Sequence, residues 1–570
     1  MLQLVRLRKV ADSNVNHMTG KQSPRRTRLL NLRLSCAGLA LLIAVAAPIL
    51  AAEPLTNPEL APPFDPAGIR GSLVICGGGR LPDEVRDEFV KLAGGKEARL
   101  VIIPTASDDD SVVADAAEVA EIWKSRGIET IATLHTRSHD QANDPAFVEP
   151  LKEATGVWIT GGRQSQIAAA YSGTLVEKEL HALLDRRGVV GGTSAGAACQ
   201  SRIMIVRGKI HETPGLGLIP GAIIDQHFLA RDRKARLLDA LEQYPALIGL
   251  GIDEGTALVL EGRSLRCLGD STVTVCWGAT QRCGCEELTL KPGQPSDLTM
   301  LRRAAWQRTL PAFPPVESAV PRVQHGALVI VGGGSLPSEV TERFIALAGG
   351  AQSLLVVLPT ANPEPLPPEP GDGKFLERAG AKNVRVLKHR TREEVESAEF
   401  LETIREARGI WFGGGRQWRF VDAYEGTQAV AAFQDVLRRG GVIGGSSAGA
   451  TIQGDYLVRG SPLGNEEMMC RGYERGFAFL PGTAIDQHFA QRNRFPDMSK
   501  VMAAHPQLLG IGLDEGTAII VQQSRAEVLG QGKAHFYDGR KPVEAEQPDY
   551  ESFAAGGVYD LTARKSAGEE

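Results

Sequence analysis

The stretch VVGGTSAGAA, residues 189 to 198, places one hydroxyl group among residues that have almost no side chain. An apolar, strand-like pair runs into two glycines, and Ser194 is then followed by Ala195, Gly196 and Ala197. The pattern G-x-S-x-G between a strand and a helix is typical of a nucleophile elbow, a tight turn that projects the serine outward and tolerates only small neighbours. A helix beginning at Ala195 also presents free backbone N–H groups, which can stabilise an oxyanion. The stretch therefore predicts a nucleophilic serine; a serine turn with a packing role is the alternative.

The chain contains this stretch twice, because VIGGSSAGAT at 442 to 451 gives Ser447 the same setting. Five further motif pairs recur in the same order: LVICGGGRLP (73–82) and LVIVGGGSLP (328–337), VIIPTAS (101–107) and VVLPTAN (356–362), VWITGGRQ (157–164) and IWFGGGRQ (410–417), IIDQHF (223–228) and AIDQHF (484–489), GLGIDEGTA (249–257) and GIGLDEGTA (510–518). The offset is 253 residues at the serines and 261 at both later motifs. This predicts a tandem duplication of a domain of about 230 residues, with a short insertion near 460 to 475 in the second copy.

Within each copy, short apolar runs alternate with helix-like stretches such as DEVRDEFVKLAG (83–94). This alternation predicts an α/β fold, with a doubly wound and mostly parallel sheet in each copy. Glycine turns follow the strands directly, and ligands bind at the carboxyl ends of strands in such sheets. We expect the first domain at 71–300, a Pro-rich linker at 301–325 and the second domain at 326–570.

The N-terminus has the layout of a secretory signal. Five basic residues between Lys21 and Arg33 precede the apolar run AGLALLIAVAAPIL (37–50), and small residues follow. We therefore expect a signal peptide at 1–52, a linker at 53–70, a secreted or periplasmic protein, and no stable membrane association after cleavage, since the run is short for a membrane span. An uncleaved anchor and a twin-arginine signal at Arg25-Arg26 are the alternatives.

Composition argues against two classes of partner. The chain has 43% hydrophobic and 23% charged residues, and its net charge of −5 is small for 570 residues. Nothing in this balance points to nucleic acid or to an anionic membrane.

A nucleophilic serine needs a base, and the base needs an orienting group. His227 follows an apolar run in the short polar segment DQH, and its counterpart in the second copy is His488. The pairs Asp253-Glu254 and Asp514-Glu515 follow later strand-like runs and offer a carboxylate. The order serine, histidine, acid differs from the serine, acid, histidine order of α/β-hydrolase esterases and argues against that class. A structural histidine and solvated loop acids are the alternatives.

Arginines lie close to the presumed base. The segment FLARDRKARL supplies Arg231, Arg233 and Arg236, whose planar guanidinium groups match carboxylates. They point to an acidic substrate, and a solvated basic helix face is the alternative. The second copy keeps Arg492 and Arg494 but has Asp497 in the third position.

Eight cysteines are present, and four lie within nineteen residues, at Cys267, Cys276, Cys283 and Cys285. In an exported protein we expect one or two disulfides there, because the spacing lacks the paired C-x-x-C of zinc sites. No metal site is predicted elsewhere.

The motifs GGTSAGA, DQHFLARDRKARL, TGGRQ and IDEGTA together resemble peptidase family S51, the cyanophycinase and aspartyl dipeptidase group of serine peptidases. The resemblance spans residues 71 to about 300 closely and 326 to about 565 more loosely. It implies a class I glutamine amidotransferase-like, or flavodoxin-like, fold. It also implies hydrolysis of cyanophycin, a poly-aspartate carrying arginine on its side-chain carboxyls, to β-aspartyl-arginine without metal or organic cofactor.

Carried over residue by residue, the resemblance implies a role for each matching position. Ser194 would be the nucleophile, His227 the base and Glu254 its orienter, with Ser447, His488 and Glu515 as the second set. Backbone N–H groups of Gly162 and Ala195 would form the oxyanion hole. The pocket would be lined by Gln164, Asp225, Gln226, Arg231, Arg233 and Arg236.

Two positions depart from the family pattern: Arg163 and Arg416 stand where an acidic or amide residue is frequent, and Asp497 replaces the third arginine. We therefore expect the first copy to be the cyanophycin-type site, and the second to have altered specificity or to bind only. The two copies are also expected to pack as an intramolecular pseudo-dimer. An isoaspartyl or α-aspartyl peptidase and an inactive polymer-binding protein are the alternatives, whereas an amidotransferase would need cysteine at the elbow.

Overall fold

The computed structural model describes residues 65–363, 373–542 and 546–567. The predicted signal peptide lies outside these residues. Within the described ranges, no helix is both long and apolar enough to cross a membrane.

The first copy is built on a large sheet whose centre is parallel. Its strands are, in sheet order, β14 (Pro295–Asp297), β11 (Ser264–Gly269), β10 (Thr256–Glu261), β1 (Ser72–Cys76), β5 (Val189–Thr193), β4 (Gly156–Ile159), β2 (Arg99–Ile103) and β3 (Thr130–Thr133). The five strands from β1 to β3 in this order are parallel, and β10, β11 and β14 continue the sheet antiparallel. The register of Cys76 opposite Thr193 brings the ends of β1 and β5 side by side.

A second, smaller sheet contains the strands that precede the predicted histidine and glutamate. Its order is β13 (Glu286–Leu290), β12 (Val273–Trp277), β9 (Ile248–Ile252) and β8 (Ala222–Gln226), and β8 runs parallel to β9. A separate hairpin joins β6 (Ile205–Val206) to β7 (Lys209–Ile210). The helices of this copy are α1 (Asp83–Ala93), α2 (Val112–Lys124), α3 (Glu149–Lys152), α4 (Gln164–Tyr171), α5 (Leu175–Asp185), α6 (Ala195–Ala198) and α7 (Lys234–Gln243), followed by α8 (Leu298–Thr309).

The second copy repeats both sheets. Its large sheet has the order β17 (Val384–Val386), β16 (Leu355–Leu358), β18 (Gly409–Phe412), β19 (Val442–Ser446), β15 (Val323–Val331), β23 (Thr517–Gln523), β24 (Arg525–Gly530), β27 (Val558–Asp560) and β28 (Lys565–Ser566). Its small sheet has the order β20 (Gly454–Tyr456), β21 (Leu480–Gln487), β22 (Leu509–Leu513), β25 (Lys533–Asp538) and β26 (Glu551–Ala554). The helices are α9 (Ser338–Leu347), α10 (Lys374–Arg378), α11 (Arg392–Val395), α12 (Ala398–Glu406), α13 (Trp418–Tyr424), α14 (Gln428–Arg438), α15 (Ala448–Thr451) and α16 (Phe495–Ala504).

The central strands are apolar along nearly their whole length because helices cover both faces of the sheet. In β1, the four residues Leu73 to Cys76 are fully buried, and in β15 the same holds for Leu328 to Val331. The predicted α/β fold, with two copies of a mostly parallel sheet, is confirmed.

The segment predicted as a Pro-rich linker contains regular structure at both ends. Helix α8 crosses the expected boundary at residue 300, and Asp297 caps it by accepting a hydrogen bond from the Met300 N–H at 2.8 Å. At the other end, β15 already begins at Val323. The prolines lie between these two elements, so the composition of the whole segment did not indicate the helix, whose apolar residues other than the partly buried Met300 are buried.

The predicted disulfides are absent: all seven cysteines in the described part of the chain are free. Cys267 lies on β11 of the large sheet and Cys276 on β12 of the small sheet, and both are buried among apolar side chains. Burial raises the pKa of Cys267 to about 11 and that of Cys276 to about 12. Their closeness in sequence therefore does not translate into pairing.

Candidate active site

Ser194 occupies a strained turn between β5 and α6. Its φ of +52° is a conformation that residues with a side chain rarely adopt, and Ser447 repeats it with φ +56°. The neighbouring glycines are required by close packing: a β carbon on Gly192 would lie 2.3 Å from the Gly196 carbonyl oxygen, and one on Gly196 would lie 2.1 Å from the Ile159 carbonyl oxygen. The small residues around the hydroxyl are thus the ones that this turn can accommodate.

The structure brings the predicted serine, histidine and glutamate of the first copy into one hydrogen-bonded row. Ser194 Oγ lies 2.8 Å from Nε2 of His227, and Nδ1 of His227 lies 2.5 Å from Oε1 of Glu254. The three residues follow β5, β8 and β9, so the carboxyl ends of strands from both sheets meet here. This is the arrangement in which a base can take a proton from serine while a carboxylate orients the base.

The second copy has the same row. Ser447 Oγ is 3.0 Å from Nε2 of His488, whose Nδ1 is 2.6 Å from Oε1 of Glu515. Both sets of three therefore have geometry compatible with proton transfer.

The histidines are poised to be neutral. Burial lowers the pKa of His227, the nearby Arg231 lowers it further, and the hydrogen bond with Glu254 works in the opposite direction. The same causes, with Arg492 and Glu515, lower the pKa of His488. A neutral ring whose Nδ1–H donates to the carboxylate leaves the Nε2 lone pair free for the serine proton.

Three consecutive glycines shape the space for the histidine and glutamate, although the sequence pattern marked them only as part of the repeat. Gly78 has φ +107°, and a β carbon there would lie 2.3 Å from Cε1 of His227; one on Gly79 would lie 3.0 Å from Cβ of Glu254. The Gly77 carbonyl accepts a 2.7 Å hydrogen bond from the His227 backbone N–H. The sequence feature that could have indicated this role is a glycine triplet that directly follows a strand in both copies.

The adjacent acids Asp253 and Glu254 have different hydrogen-bond partners. Asp253 Oδ1 accepts hydrogen bonds from the backbone N–H groups of Leu229 and Ala230, which form the turn after His227. Its Oδ2 accepts from the Ser271 hydroxyl at 3.0 Å. Asp253 therefore stabilises the loop, and Glu254 faces the histidine.

Of the residues predicted for the oxyanion hole, Ala195 follows Ser194 directly and Gly162 belongs to the Gly161-Gly162 turn beside the serine. Ala195 starts α6 immediately after the serine, and a β carbon on Gly161 would lie 3.5 Å from Cβ of Ser194. Gly162 has φ +134°, and a β carbon there would meet the Ala106 carbonyl oxygen at 2.1 Å. The turn thus requires glycine next to the serine, and the oxyanion role of its N–H stays a prediction.

Several of the predicted pocket residues are engaged with one another. Asp225 is fully buried, Arg236 Nε donates to it at 2.7 Å, and Arg233 Nη1 lies 3.5 Å from the same carboxylate. Arg233 also donates to the Gln226 carbonyl at 2.8 Å. Burial raises the pKa of Asp225, and the two arginines oppose that shift. These arginines therefore neutralise an internal carboxylate, a use that the sequence pattern did not indicate.

The remaining pocket candidates differ in accessibility. The side chain of Gln226 is buried, and Gln164 donates through Nε2 to the Ile205 carbonyl at 2.9 Å, which holds β6. Arg231 is exposed on the turn after His227, and its guanidinium forms no salt bridge among the described residues. Arg163 is exposed and pairs with Asp108 at 2.9 Å.

Comparison with known proteins finds one family and several relatives of this chain. The sequence profile of Peptidase family S51 matches residues 73–268 and again 328–529. A cyanophycinase of Geminocystis herdmanii is 34% identical over 221 residues, which cover 36% of this chain and 80% of that protein; one of Synechococcus elongatus is 32% identical over 225 residues, covering 37% and 69%. A peptidase from an acI-B1 Actinobacterium, known from its crystal structure, aligns at 24% identity over 41% of this chain and 99% of its own, with a TM-score of 0.32.

The two profile matches lie one in each copy and together span more than half of the chain. The relatives in the first comparison align over a length close to that of one copy. The chain therefore belongs to peptidase family S51, carries two copies of the family domain in tandem, and is a serine-type peptidase.

Proposed function

We propose that the first copy is a serine-type exopeptidase that hydrolyses cyanophycin to β-aspartyl-arginine dipeptides. The observation that carries the proposal is the row Ser194, His227 and Glu254 with the exposed Arg231 beside it. Support also comes from the name cyanophycinase, which relatives at 28 to 34% identity bear.

The proposed mechanism uses the row in two steps. Nε2 of His227 takes the Ser194 proton as Oγ bonds to the scissile carbonyl carbon, and the resulting oxyanion is stabilised by N–H groups of Gly162 and Ala195. The C–N bond then breaks, and the leaving nitrogen takes the proton from Nε2. In the second step, water loses a proton to Nε2, its oxygen bonds to the carbon, the C–Oγ bond breaks, and Oγ regains the proton.

Arg231 is the residue that we assign to the acidic part of the substrate. It follows His227 by four residues, is exposed and has a backbone N–H bonded to the His227 carbonyl at 3.1 Å, so its position is tied to that of the base. A guanidinium group binds a carboxylate through two parallel hydrogen bonds. A poly-aspartate backbone offers such a carboxylate at its terminus.

The same features suit a second candidate function, cleavage of short isoaspartyl or α-aspartyl peptides. The observation that favours it is that exposed arginines, Arg231 and Arg492, adjoin the histidine in both copies, whereas only the first copy has arginine at the position of Arg236. An inactive polymer-binding protein would have no need of two hydrogen-bonded rows.

Incubation of the purified chain with cyanophycin, and separately with β-Asp-Leu and α-Asp-Leu, tests these assignments. We expect β-aspartyl-arginine as the main product by mass spectrometry. Cleavage of the dipeptides with no release from the polymer would replace the first proposal by the second. Failure of a serine-directed phosphonate to label either serine would support the inactive binding protein.

We also propose export and an intramolecular pseudo-dimer. Export rests on the sequence of residues 1–52, and a fusion of this segment to a periplasm-dependent reporter should be active. The pseudo-dimer is supported by polar contacts between copies: Arg263 Nη1 pairs with Asp422, and Arg303 Nε donates to the Gly472 carbonyl at 2.6 Å. A stable dimer of the full chain in light scattering would contradict it.

A further inference from the structure

The second copy has a longer connection between its serine and its histidine strand. From Ser447 to Asp486 there are 39 positions, against 31 from Ser194 to Asp225. In the first copy this connection contains the β6–β7 hairpin, where Arg207 is exposed. Arg459 occupies the matching place in the second copy, since both arginines follow valine, precede glycine and have positive φ, yet Arg459 is buried.

Arg459 is buried because it replaces Arg236 as a partner of the internal carboxylate. Its Nε lies 3.1 Å from Oδ2 of Asp486, and Arg494 binds the same carboxylate at 2.7 Å. Its Nη2 donates at 2.8 Å to Asp497, the residue that stands where the first copy has Arg236. In the first copy the guanidinium that binds the internal carboxylate comes from α7, through Arg236. In the second copy it comes from the connection, through Arg459, and α16 supplies a second carboxylate, Asp497, that holds this arginine in place.

This exchange changes what the site presents to a substrate. In the first copy the side chains of Arg233 and Arg236 are 14% and 21% exposed. In the second, those of Arg494 and Arg459 are 4% and 3% exposed. The arginine side chains around the buried carboxylate thus keep partial contact with solvent in the first site, whereas those in the second are almost fully covered.

The same connection is also held at a second point, the turn beside Ser447. Arg416 donates through Nη2 to the Ser461 carbonyl at 2.6 Å and also to the Gly464 carbonyl. Arg416 follows the Gly414-Gly415 turn, and a β carbon on Gly414 would lie 3.6 Å from Cβ of Ser447. Among the described residues its counterpart Arg163 makes no such bond and pairs with the exposed Asp108. Residues 459–465 are therefore tied both to the turn beside the serine and to Asp486, two residues before His488.

We propose that residues 459–465 form a specificity loop that restricts the second site to short acidic peptides and excludes the polymer. Arg492 stays exposed next to His488 and can bind one carboxylate, while residues 459–465 are held by Arg416 and Asp486, and the side chains of Arg459 and Arg494 are covered. A polymer needs a groove that is open beyond the residues being cleaved, so we expect a loop held at these two points to admit only a short peptide. The inference rests on the proposed function, because it takes from it the acidic character of the substrate.

The test separates the two sites by single serine substitutions in the full chain. Ser194→Ala leaves only Ser447, and Ser447→Ala leaves only Ser194. We measure kcat/KM on cyanophycin and on β-Asp-Leu. We expect Ser194→Ala to cleave the dipeptide but to cleave the polymer at least about tenfold more slowly than Ser447→Ala does.

Loop variants then test the cause in the Ser194→Ala background. Arg416→Ala removes the two carbonyl contacts and should raise the ratio of polymer to dipeptide cleavage by about threefold or more. The double variant Arg459→Val/Asp497→Arg moves the partner of the internal carboxylate from the connection to α16, the position that Arg236 has in the first copy. It should act in the same direction and serves if Arg416→Ala does not fold. Arg207→Ala in the Ser447→Ala background is the matched control and should leave the ratio unchanged.

Equal polymer cleavage by the two serine variants would overturn the specificity loop, as would an unchanged ratio in both loop variants. Cleavage of neither substrate by Ser194→Ala, while Ser447→Ala releases dipeptide, would also overturn it. Absence of release from cyanophycin by every variant, with dipeptide cleavage retained, would instead refute the proposed cyanophycin activity.

Discussion

Gly78 and His227 are in direct contact, and a β carbon at Gly78 would lie 2.3 Å from Cε1 of the imidazole. Because the backbone there also has φ +107°, Gly78→Ala has to displace the ring from the Ser194 hydroxyl or shift the turn. We expect kcat to fall by about 100-fold or more, as for loss of a general base. Gly173→Ala is the matched control, since Gly173 has φ +77° and, apart from its two chain neighbours, no described residue lies within 4 Å of its β-carbon position. Equal activity of the two variants would contradict the role of Gly78.

The pH dependence of the first site follows from its histidine. His227 has to be neutral to accept the serine proton, and burial lowers its pKa below the ordinary value of about 6.5. Activity is thus fully present above that value and is lost as the pH falls through the lowered pKa. In the Ser447→Ala variant we expect the acid limb of kcat/KM on cyanophycin to lie below pH 6.5. An acid limb above that pH would contradict the assignment of His227 as a buried base.

Replacing Arg231 should have two separable effects. Arg231→Gln removes a positive charge that lowers the pKa of His227, so the acid limb should move to higher pH. It also removes a charge-assisted partner for a substrate carboxylate, worth about 1.5–3 kcal/mol, so KM for acidic substrates should rise about tenfold or more. Arg187→Gln, at an exposed arginine outside the site, is the control. A shifted pH profile with unchanged KM would remove Arg231 from substrate recognition.

The contact between the copies depends on a buried ion pair. Arg303 on α8 pairs with Glu425, and its guanidinium lies 4.5 Å from the centre of the Tyr473 ring. Arg303→Met leaves the Glu425 carboxylate buried without its partner, which should reduce the free energy of unfolding by about 3–5 kcal/mol. The double variant Arg303→Met/Glu425→Leu should recover most of that loss in urea denaturation. If the losses of unfolding free energy caused by Arg303→Met and by Glu425→Leu alone add up to that of the double variant, the two side chains are not coupled.

Part of this site could be predicted from the sequence because duplication acted as an internal control. A single histidine in one copy would be weak evidence for a catalytic base. The matching histidine in the second copy, His488, makes that interpretation much stronger. Strand ends marked by glycine fixed the carboxyl edge of the sheet, where Ser194, His227 and Glu254 meet. The predicted α/β fold is confirmed because parallel strands that are buried on both faces are apolar throughout and are therefore visible in the sequence.

What the sequence could not reveal was which charges serve the protein itself. Arg233 and Arg236 looked like substrate ligands because nothing in the sequence shows that Asp225, eight and eleven residues earlier, is buried and needs them. From the sequence, Asp497 at the position of Arg236 suggests that the second copy has lost a substrate ligand. The structure shows that Arg459 takes over the contact of Arg236 with the internal carboxylate. One or two disulfides were expected among the four clustered cysteines because the sequence does not show that Cys267 and Cys276 lie in different sheets, which is a tertiary property.

Ser194 is the residue to which we assign the proposed cyanophycin activity. The most direct measurement is release of β-aspartyl-arginine from cyanophycin by the wild-type chain, by Ser194→Ala and by Ser447→Ala, with equal folding checked by circular dichroism. We expect release by the wild type and by Ser447→Ala, and loss of about 1,000-fold or more with Ser194→Ala, as for removal of a catalytic nucleophile. Release that persists in Ser194→Ala and disappears in Ser447→Ala would contradict the claim.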